Sequence, residues 1–265
     1  MKRPNKILII AGSDTLSGGG IQVDIGVTNA LGNLPFTVIT SLVTMPGGDF
    51  YIYPTGKQIL AEQFETMNSL VKIDAVKIGL MSDVDCVHQT AAYVEKLKKK
   101  GAKIVLDPVL AFKETDDELN HELKVAIINH LIPLADVVTP NLPEAEALLE
   151  RRIESIDDVK DAVLALHEMG ARNVVLKVAG RLVDEMSIDT FYDGAQFKLL
   201  QRPRLKKNNV NGAGCGLSTA IANNLANGLD YYDAFAEAKK YIYQTIKYAD
   251  STTNAIWPCF IKYED

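Results

Sequence analysis

Asp107, Asn141, Glu144 and Lys177 each stand at or just beyond the end of a short apolar run, and "NGAGCGLSTAIA" (Asn211–Ala222) sets Cys215 between glycines where a loop opens into a helix. A glycine-rich turn feeding a helix presents unpaired N–H groups and the positive end of the helix dipole, which suit an anion. A thiol in that turn is expected to ionise more easily than a free one, although a small buried cysteine in a tight turn fits the same letters. Asn141 and Glu144 lie three apart at a helix start. They read either as an N-cap with its reciprocal partner or as a place where a carboxylate holds a hydrated Mg²⁺ beside phosphates. Lys177 is a cation at a strand end. Asp107 precedes Pro108 and is therefore held extended. Together these residues supply what phosphoryl transfer requires: metal ligands, a cation for the phosphates and N–H donors for the transferred group. Cys215 is placed to orient or deprotonate an acceptor hydroxyl.

The elements that must position them are read from alternating short apolar runs and longer helical patterns. Strands are expected at Lys6–Ala11, Phe36–Thr44, Asp74–Leu80, Ala102–Pro108, Ala135–Asn141 and Asn173–Gly180, with a short extended piece in "FYIYP". Helices are expected at about Gly20–Leu31, Thr55–Leu70, Asp83–Lys100, Asp116–His130, in "LPEAEALL", and at Ser155–Met169, Gly214–Asn227 and Tyr231–Tyr248. "MSIDTFYDGAQFKLLQ" reads as a hairpin turned at Asp193-Gly194. Apolar strands flanked by amphipathic helices imply one α/β domain over residues 1–265, its mostly parallel sheet covered on both faces, with a small antiparallel portion from the hairpin. Ligands of such sheets sit at the carboxyl ends of the strands. "AGSDTLSGGGIQVD" after the first strand, with Asp14, Gly19 and Asp24, reads as either a ligand loop or a tight packing turn. It lacks the G-x-G-x-x-G spacing, and no P-loop motif occurs, which disfavours a dinucleotide dehydrogenase or a P-loop enzyme.

Composition narrows the classes further. The 265 residues are 47% hydrophobic and 23% charged, ordinary for a globular protein, and the net charge of −6 argues against nucleic-acid binding. "KLKKK" (Lys96–Lys100) reads as a solvated helix end. Three cysteines (Cys86, Cys215, Cys259) form no disulfide framework or CxxC metal site, and the four histidines show no ligand-like spacing. The apolar stretch of "MKRPNKILIIAGSD" is too short for a signal peptide and no window suits a membrane span, so a cytoplasmic protein is expected.

The ordered set "AGSDTLSGGGIQVD", "DAVKIGLM", "VLDPV", "VVTPNLPEAEAL", Leu176-Lys177, "YDG" and "NGAGC" resembles the ribokinase-like superfamily over nearly the whole chain. It is most similar to the vitamin-kinase branch, which holds hydroxymethylpyrimidine kinases and bacterial pyridoxal kinases. The resemblance implies a ribokinase-like fold, Mg²⁺, ATP as co-substrate and a homodimer. The implied reaction is transfer of a phosphoryl group to a hydroxymethyl group on a small aromatic heterocycle. It implies an anion hole at Gly212, Ala213 and Gly214 with Cys215 as base or orienter, and ATP or phosphate contacts from Asp107, Asn141, Glu144 and Lys177. Metal contacts are implied for Asp107 and Glu144, and substrate contacts for Gly12, Asp14, Gly19, Asp24, Met45 and Val109.

Met45 stands where the pyrimidine branch commonly carries glutamine, and an apolar side chain there favours a vitamin B6 ring. The alternatives are a hydroxymethylpyrimidine (phosphate) kinase of thiamine synthesis and a non-catalytic vitamer-binding relative. The chain departs from the pyridoxal-kinase pattern at Phe50 (a histidine there), Phe112 (a flap cysteine) and Asn211 (a histidine before the anion hole), and at "KVAG" in place of K-G-G. A flap over the site is expected to include Ala111 to Asp117.

Overall fold

Alternation within the apolar runs decides which helices cover which face of the sheet. In the first strand, β1 (Lys6–Asp14), Leu8 and Ile10 face one core while Ile7 faces another. The same parity divides the next parallel strands. Val76 and Ile78 oppose Ala75, Ile104 and Leu106 oppose Val105, and Val174 and Leu176 oppose Val175. Period-two side-chain direction therefore builds two apolar layers on one sheet.

This computed structural model describes residues 3–70, 72–110, 117–182, 185–207, 210–249 and 255–256. The remaining strands are β2 (Leu34–Thr44), β3 (Tyr51–Pro54), β4 (Ala75–Ile78), β5 (Lys103–Leu106), β6 (Val137–Val138), β7 (Val174–Ala179), β8 (Met186–Tyr192) and β9 (Phe197–Pro203). They hydrogen-bond in the order β3-β2-β1-β4-β5-β6-β7-β8-β9. From β2 to β7 neighbours are parallel; β3, β8 and β9 join antiparallel. The antiparallel portion is thus larger than the hairpin alone, because "FYIYP" closes back on β2 and β8 turns back along β7.

One face is covered by α1 (Gly20–Ala30), α7 (Ala213–Ala226) and α8 (Tyr231–Tyr248), with Val23, Leu217, Ile221 and Phe235 in that core. The other is covered by α2 (Lys57–Leu70), α3 (Val84–Lys99), α4 (Asp117–His130), α5 (Leu142–Leu149) and α6 (Ile156–Glu168), through Leu60, Phe64, Val87, Ile127, Leu142 and Val159. Helix starts follow the expected chemistry, with Asp83, Asn141, Ser155 and Asp230 as N-caps. The basic run ends α3, where Lys98 Nζ donates to the Leu134 carbonyl at 2.7 Å.

One local expectation is corrected. The hairpin turns through four residues, with Tyr192 opposite Phe197, because the Asp193 carboxylate accepts from the N–H groups of Ala195 and Gln196 and closes a wider loop. His88 of α3 and His130 of α4, far apart in sequence, meet edge to face at 4.7 Å between ring centres. Phe112, Cys259 and all of the expected flap before Asp117 lie outside the described residues.

Candidate active site

Strand parity carries through to the polar ends of the strands. Lys77 shares its direction with Ala75, Asp107 with Val105 and Lys177 with Val175, so all three point toward the α7 face. There α7 begins at Gly212, whose φ of 82° is left-handed, with no side-chain cap and no acidic residue in the first turn. A Cβ on Gly212 would also lie 2.8 Å from Val23 Cγ2. The α1 N-terminus meets this turn from the side. Gly20 (φ +60°) packs so closely that a Cβ would stand 2.3 Å from the Gly12 carbonyl oxygen, which fixes glycine there. The Gly20 N–H donates to the Cys215 sulfur, and the α-carbon of Gly19 faces it, a Cβ there reaching to 3.8 Å. Cys215 therefore sits where two helix N-termini converge.

Around it stand two ion pairs, one fully buried and one partly exposed. Lys177 Nζ donates to Asp107 Oδ1 at 2.7 Å, and a Cβ on Gly214 would come within 3.3 Å of that ammonium. Asp107 also accepts from Thr139 Oγ1 (3.1 Å) and Ser218 Oγ (3.3 Å). Burial opposes the Asp107 carboxylate, yet Lys177 and Lys77 hold it below the usual carboxylate range. Behind Cys215, Lys77 Nζ donates to Asp24 Oδ2 at 2.7 Å, and Thr219 Oγ1 donates to Asp24 Oδ1 at 2.7 Å. Both side chains of that pair are fully buried. Burial disfavours the Lys77 ammonium, but Asp24, Cys215 and Asp107 outweigh it and raise its pKa above the ordinary lysine value.

The thiol itself departs from expectation. Burial pushes Cys215 up to about 11, and Asp107 and Asp24 add to the rise, against the lowering pull of Lys77 and the Gly20 N–H. A helix N-terminus does not outweigh desolvation flanked by two carboxylates, so the cysteine is a thiol at neutral pH.

Asn141 and Glu144 form a complete capping box. Asn141 Oδ1 accepts from the Glu144 N–H at 2.9 Å, and Glu144 Oε2 accepts from the Asn141 N–H at 2.7 Å. Glu144 is buried, which lifts its carboxyl to about 7 while Lys177 pulls it down and Asp107 pushes it up. The capping reading therefore holds, and the same carboxyl lies close to Lys177 and Asp107. Asn141 and Lys177 are joined by a parallel β-bridge, so α5 begins beside the end of β7. From here a cleft of about 820 Å³ runs between the β7–β9 region and the first turns of α7 and along α8. Asn141, Lys177, Ala213 and Gly214 line its inner end, and Gly180, Ser187, Asp189, Arg204, Lys239 and Tyr243 line the rest. Its volume suits a nucleotide-sized ligand.

Of the residues assigned to substrate, Gly12, Gly19 and Asp14 lie on β1 and its loop. Asp14 organises that loop, its Oδ1 accepting from the Leu16 N–H at 2.9 Å. Asp24 is not at the surface of the site: both its oxygens are engaged and it is fully buried behind Cys215, because its direction on α1 is inward toward β4. Met45 follows the last residue of β2 and is 42% exposed; Val109 lies two residues after Asp107 and is half-buried. Phe50 is half-buried and Asn211 exposed beside the α7 turn. Sequence reasoning missed Lys77, Asp189 and Lys239. A lysine inside the apolar run "DAVKIGL" was the available signal for Lys77; the Asp189–Lys239 ion pair joins β8 to α8 and leaves no short-range trace.

A family model described as phosphomethylpyrimidine kinase matches residues 14–259. The chain is 32% identical to the pyridoxine kinase of Bacillus subtilis, over 92% of this chain and 90% of that one. It is 36% identical to the hydroxymethylpyrimidine/phosphomethylpyrimidine kinase of Rhizobium meliloti, over 92% and 91%. It spans about half (49%) of the bifunctional thiamine biosynthesis protein ThiED of Geobacter sulfurreducens, at 34% identity over 92% of this chain. The structure of the Staphylococcus aureus pyridoxal kinase in complex with AMP-PCP and pyridoxal superposes with a TM-score of 0.89 at 29% identity, covering 97% of this chain and 94% of that one. The chain belongs to the phosphomethylpyrimidine kinase family of ribokinase-like enzymes. It is a kinase.

Proposed function

We propose that this single kinase domain transfers the γ-phosphoryl group of ATP to the hydroxymethyl group of a vitamin B6 vitamer (pyridoxal, pyridoxine or pyridoxamine), forming its 5′-phosphate. The observation that carries the site assignment is the Lys177–Asp107 pair, which borders both the nucleotide-sized cleft and the first turn of α7. Lys177 steadies the phosphates of ATP. The N–H groups of Gly214 and Cys215 at the α7 terminus receive the charge of the transferred group, while that of Ala213 closes the turn onto the Val210 carbonyl at 3.0 Å. Cys215 faces the acceptor hydroxyl. As a thiol it orients that hydroxyl, whose proton leaves late, and a loose transition state asks little of a base.

Mg²⁺ fits this donor set. Among the described residues no group of three or more metal-ligating side chains occurs, and Mg²⁺ is commonly held by one or two carboxylates together with substrate phosphates. Asp107 and Glu144, both buried beside Lys177, would hold it. When bound, the ion neutralises charge on the phosphates of ATP.

Met45 supports the B6 ring: its exposed thioether at the end of β2 offers a pyridine an apolar face. The reading favoured next is phosphorylation of hydroxymethylpyrimidine or its monophosphate, supported by the family match and the Rhizobium meliloti relative. ADP release from Mg-ATP with pyridoxal, pyridoxine and hydroxymethylpyrimidine in parallel separates the two. Turnover confined to the pyrimidine would overturn the B6 reading. We also propose a homodimer through the β2–β3 edge, where Leu42, Tyr51 and Tyr53 are 54%, 44% and 54% exposed. Light scattering should then give twice the chain mass, reduced to one by Tyr53→Glu.

A further inference from the structure

Ala179, the last residue of β7, holds a left-handed φ of 53° without being a glycine. That conformation is strained for alanine, and such strain persists only where the surroundings impose it. It coincides with a break in register. Lys177 stands opposite Asp189 of β8, but Ala179 stands opposite Ile188, so β7 carries one extra residue, Val178, as a bulge. Bulges beside sites bend a strand and re-aim its side chains. Lys177, Ala179 and Gly180 all line the nucleotide-sized cleft. The strained residue is thus two positions from the lysine assigned to the phosphates, on the wall of the same cleft.

What holds the bulge is on the neighbouring strand. Asp189 Oδ1 accepts from the Ala179 N–H at 3.3 Å, and Asp189 Oδ2 accepts from Lys239 Nζ of α8 at 2.5 Å. Lys239 also donates to Ser187 Oγ at 3.3 Å, so α8 grips β8 at two residues. The Asp189 and Lys239 side chains are only 10% and 6% exposed. A pair so buried gains little net stability over apolar residues of similar volume. Stability alone therefore explains neither the ion pair nor the left-handed alanine, and the two meet at one hydrogen bond. We infer that Asp189 and Lys239 are positioning residues for Lys177. Lys239 fixes the Asp189 carboxylate, the carboxylate holds the bulge at Ala179, and the bulge sets the direction in which the end of β7 presents Lys177. This assignment rests on the proposed role of Lys177 toward the phosphates of ATP.

The test is binding of Mg-AMP-PCP, which needs no acceptor, measured by calorimetry beside unfolding in urea. Asp189→Leu/Lys239→Met replaces the pair with apolar residues and leaves no unpaired buried charge; Asp189→Ala/Lys239→Met takes its place if the larger leucine does not fold. Asp189→Asn/Lys239→Met also removes the ion pair but retains an oxygen for the Ala179 N–H. The apolar variant is expected to unfold at a urea concentration close to that of the wild type. It is expected to bind the analogue about tenfold more weakly, the usual scale for a group that orients a ligand-contacting residue from behind. The asparagine variant is expected to recover most of that affinity. A pair that only fastens β8 to α8 would leave the two variants with equal affinities, and that result overturns the inference. A wild type that bound the analogue but phosphorylated no B6 vitamer would overturn the proposed acceptor and leave this comparison standing. A wild type that bound no analogue would overturn both.

Discussion

Two lysine–carboxylate pairs lie side by side at the strand ends, each closed at 2.7 Å, and they differ in one respect that decides what each does. Lys77–Asp24 is sealed, with both side chains 0% exposed, whereas Lys177 retains 11% beside the nucleotide-sized cleft. A sealed pair has no new partner to take, so its charges stay fixed between β4, α1 and α7. An accessible pair can exchange partners: in the proposed reaction phosphates would replace Asp107 on Lys177, and Asp107 would then be free for a cation. The same chemistry therefore serves as a sealed core contact on β4 and, in the proposed reaction, as a ligand clamp between the ends of β5 and β7.

Breaking the sealed pair should have the largest effect on the fold. Lys77→Met leaves Asp24 buried and unpaired, and unfolding in denaturant should show a loss of about 3–5 kcal/mol. Lys177→Met should spare stability by comparison, because Asp107 keeps Thr139 and Ser218 as donors. Its kcat/KM for Mg-ATP should instead fall about 10²- to 10³-fold. Equal stability losses in the two variants would erase the distinction. The third residue of each Lys-x-small triplet sharpens it. Gly79→Ala drives a Cβ to 2.8 Å from Lys77 Nζ and 3.1 Å from Ala11 Cβ, and should destabilise by about 1–3 kcal/mol. Ala179 already holds a left-handed φ of 53° at the bulge in β7, so Ala179→Gly should stabilise by about 1 kcal/mol. Thermal melts of both variants check these opposite signs.

Most of this architecture was legible from the sequence. Apolar runs and helix caps placed nearly all elements within a few residues, because strand alternation and N-cap chemistry are local. The departures are where contacts at long range decide. "FYIYP" needed β2 as a partner to become a strand. The hairpin loop widened because one carboxylate, Asp193, captured two N–H groups. Asp107, Asn141, Glu144, Lys177 and Cys215 could be singled out in the sequence because each ends or starts an element, and the fold brings them to one end of the sheet. Lys77 was hidden inside an apolar run, and only β-strand parity combined with the position of α1 reveals what it faces. Asp24 was misread for the same reason: its type suited a ligand, but helix direction turned it inward. The state of the Cys215 thiol was misjudged because a helix N-terminus is visible in sequence, whereas burial beside two carboxylates is a property of the folded site.

The most direct measurement is steady-state ADP release from Mg-ATP with pyridoxal, pyridoxine and hydroxymethylpyrimidine, for the wild type and for Cys215→Ala. The account predicts turnover with a B6 vitamer, lost in the variant while ATP still binds. Turnover undiminished in Cys215→Ala, or absent with all three acceptors in the wild type, would contradict it.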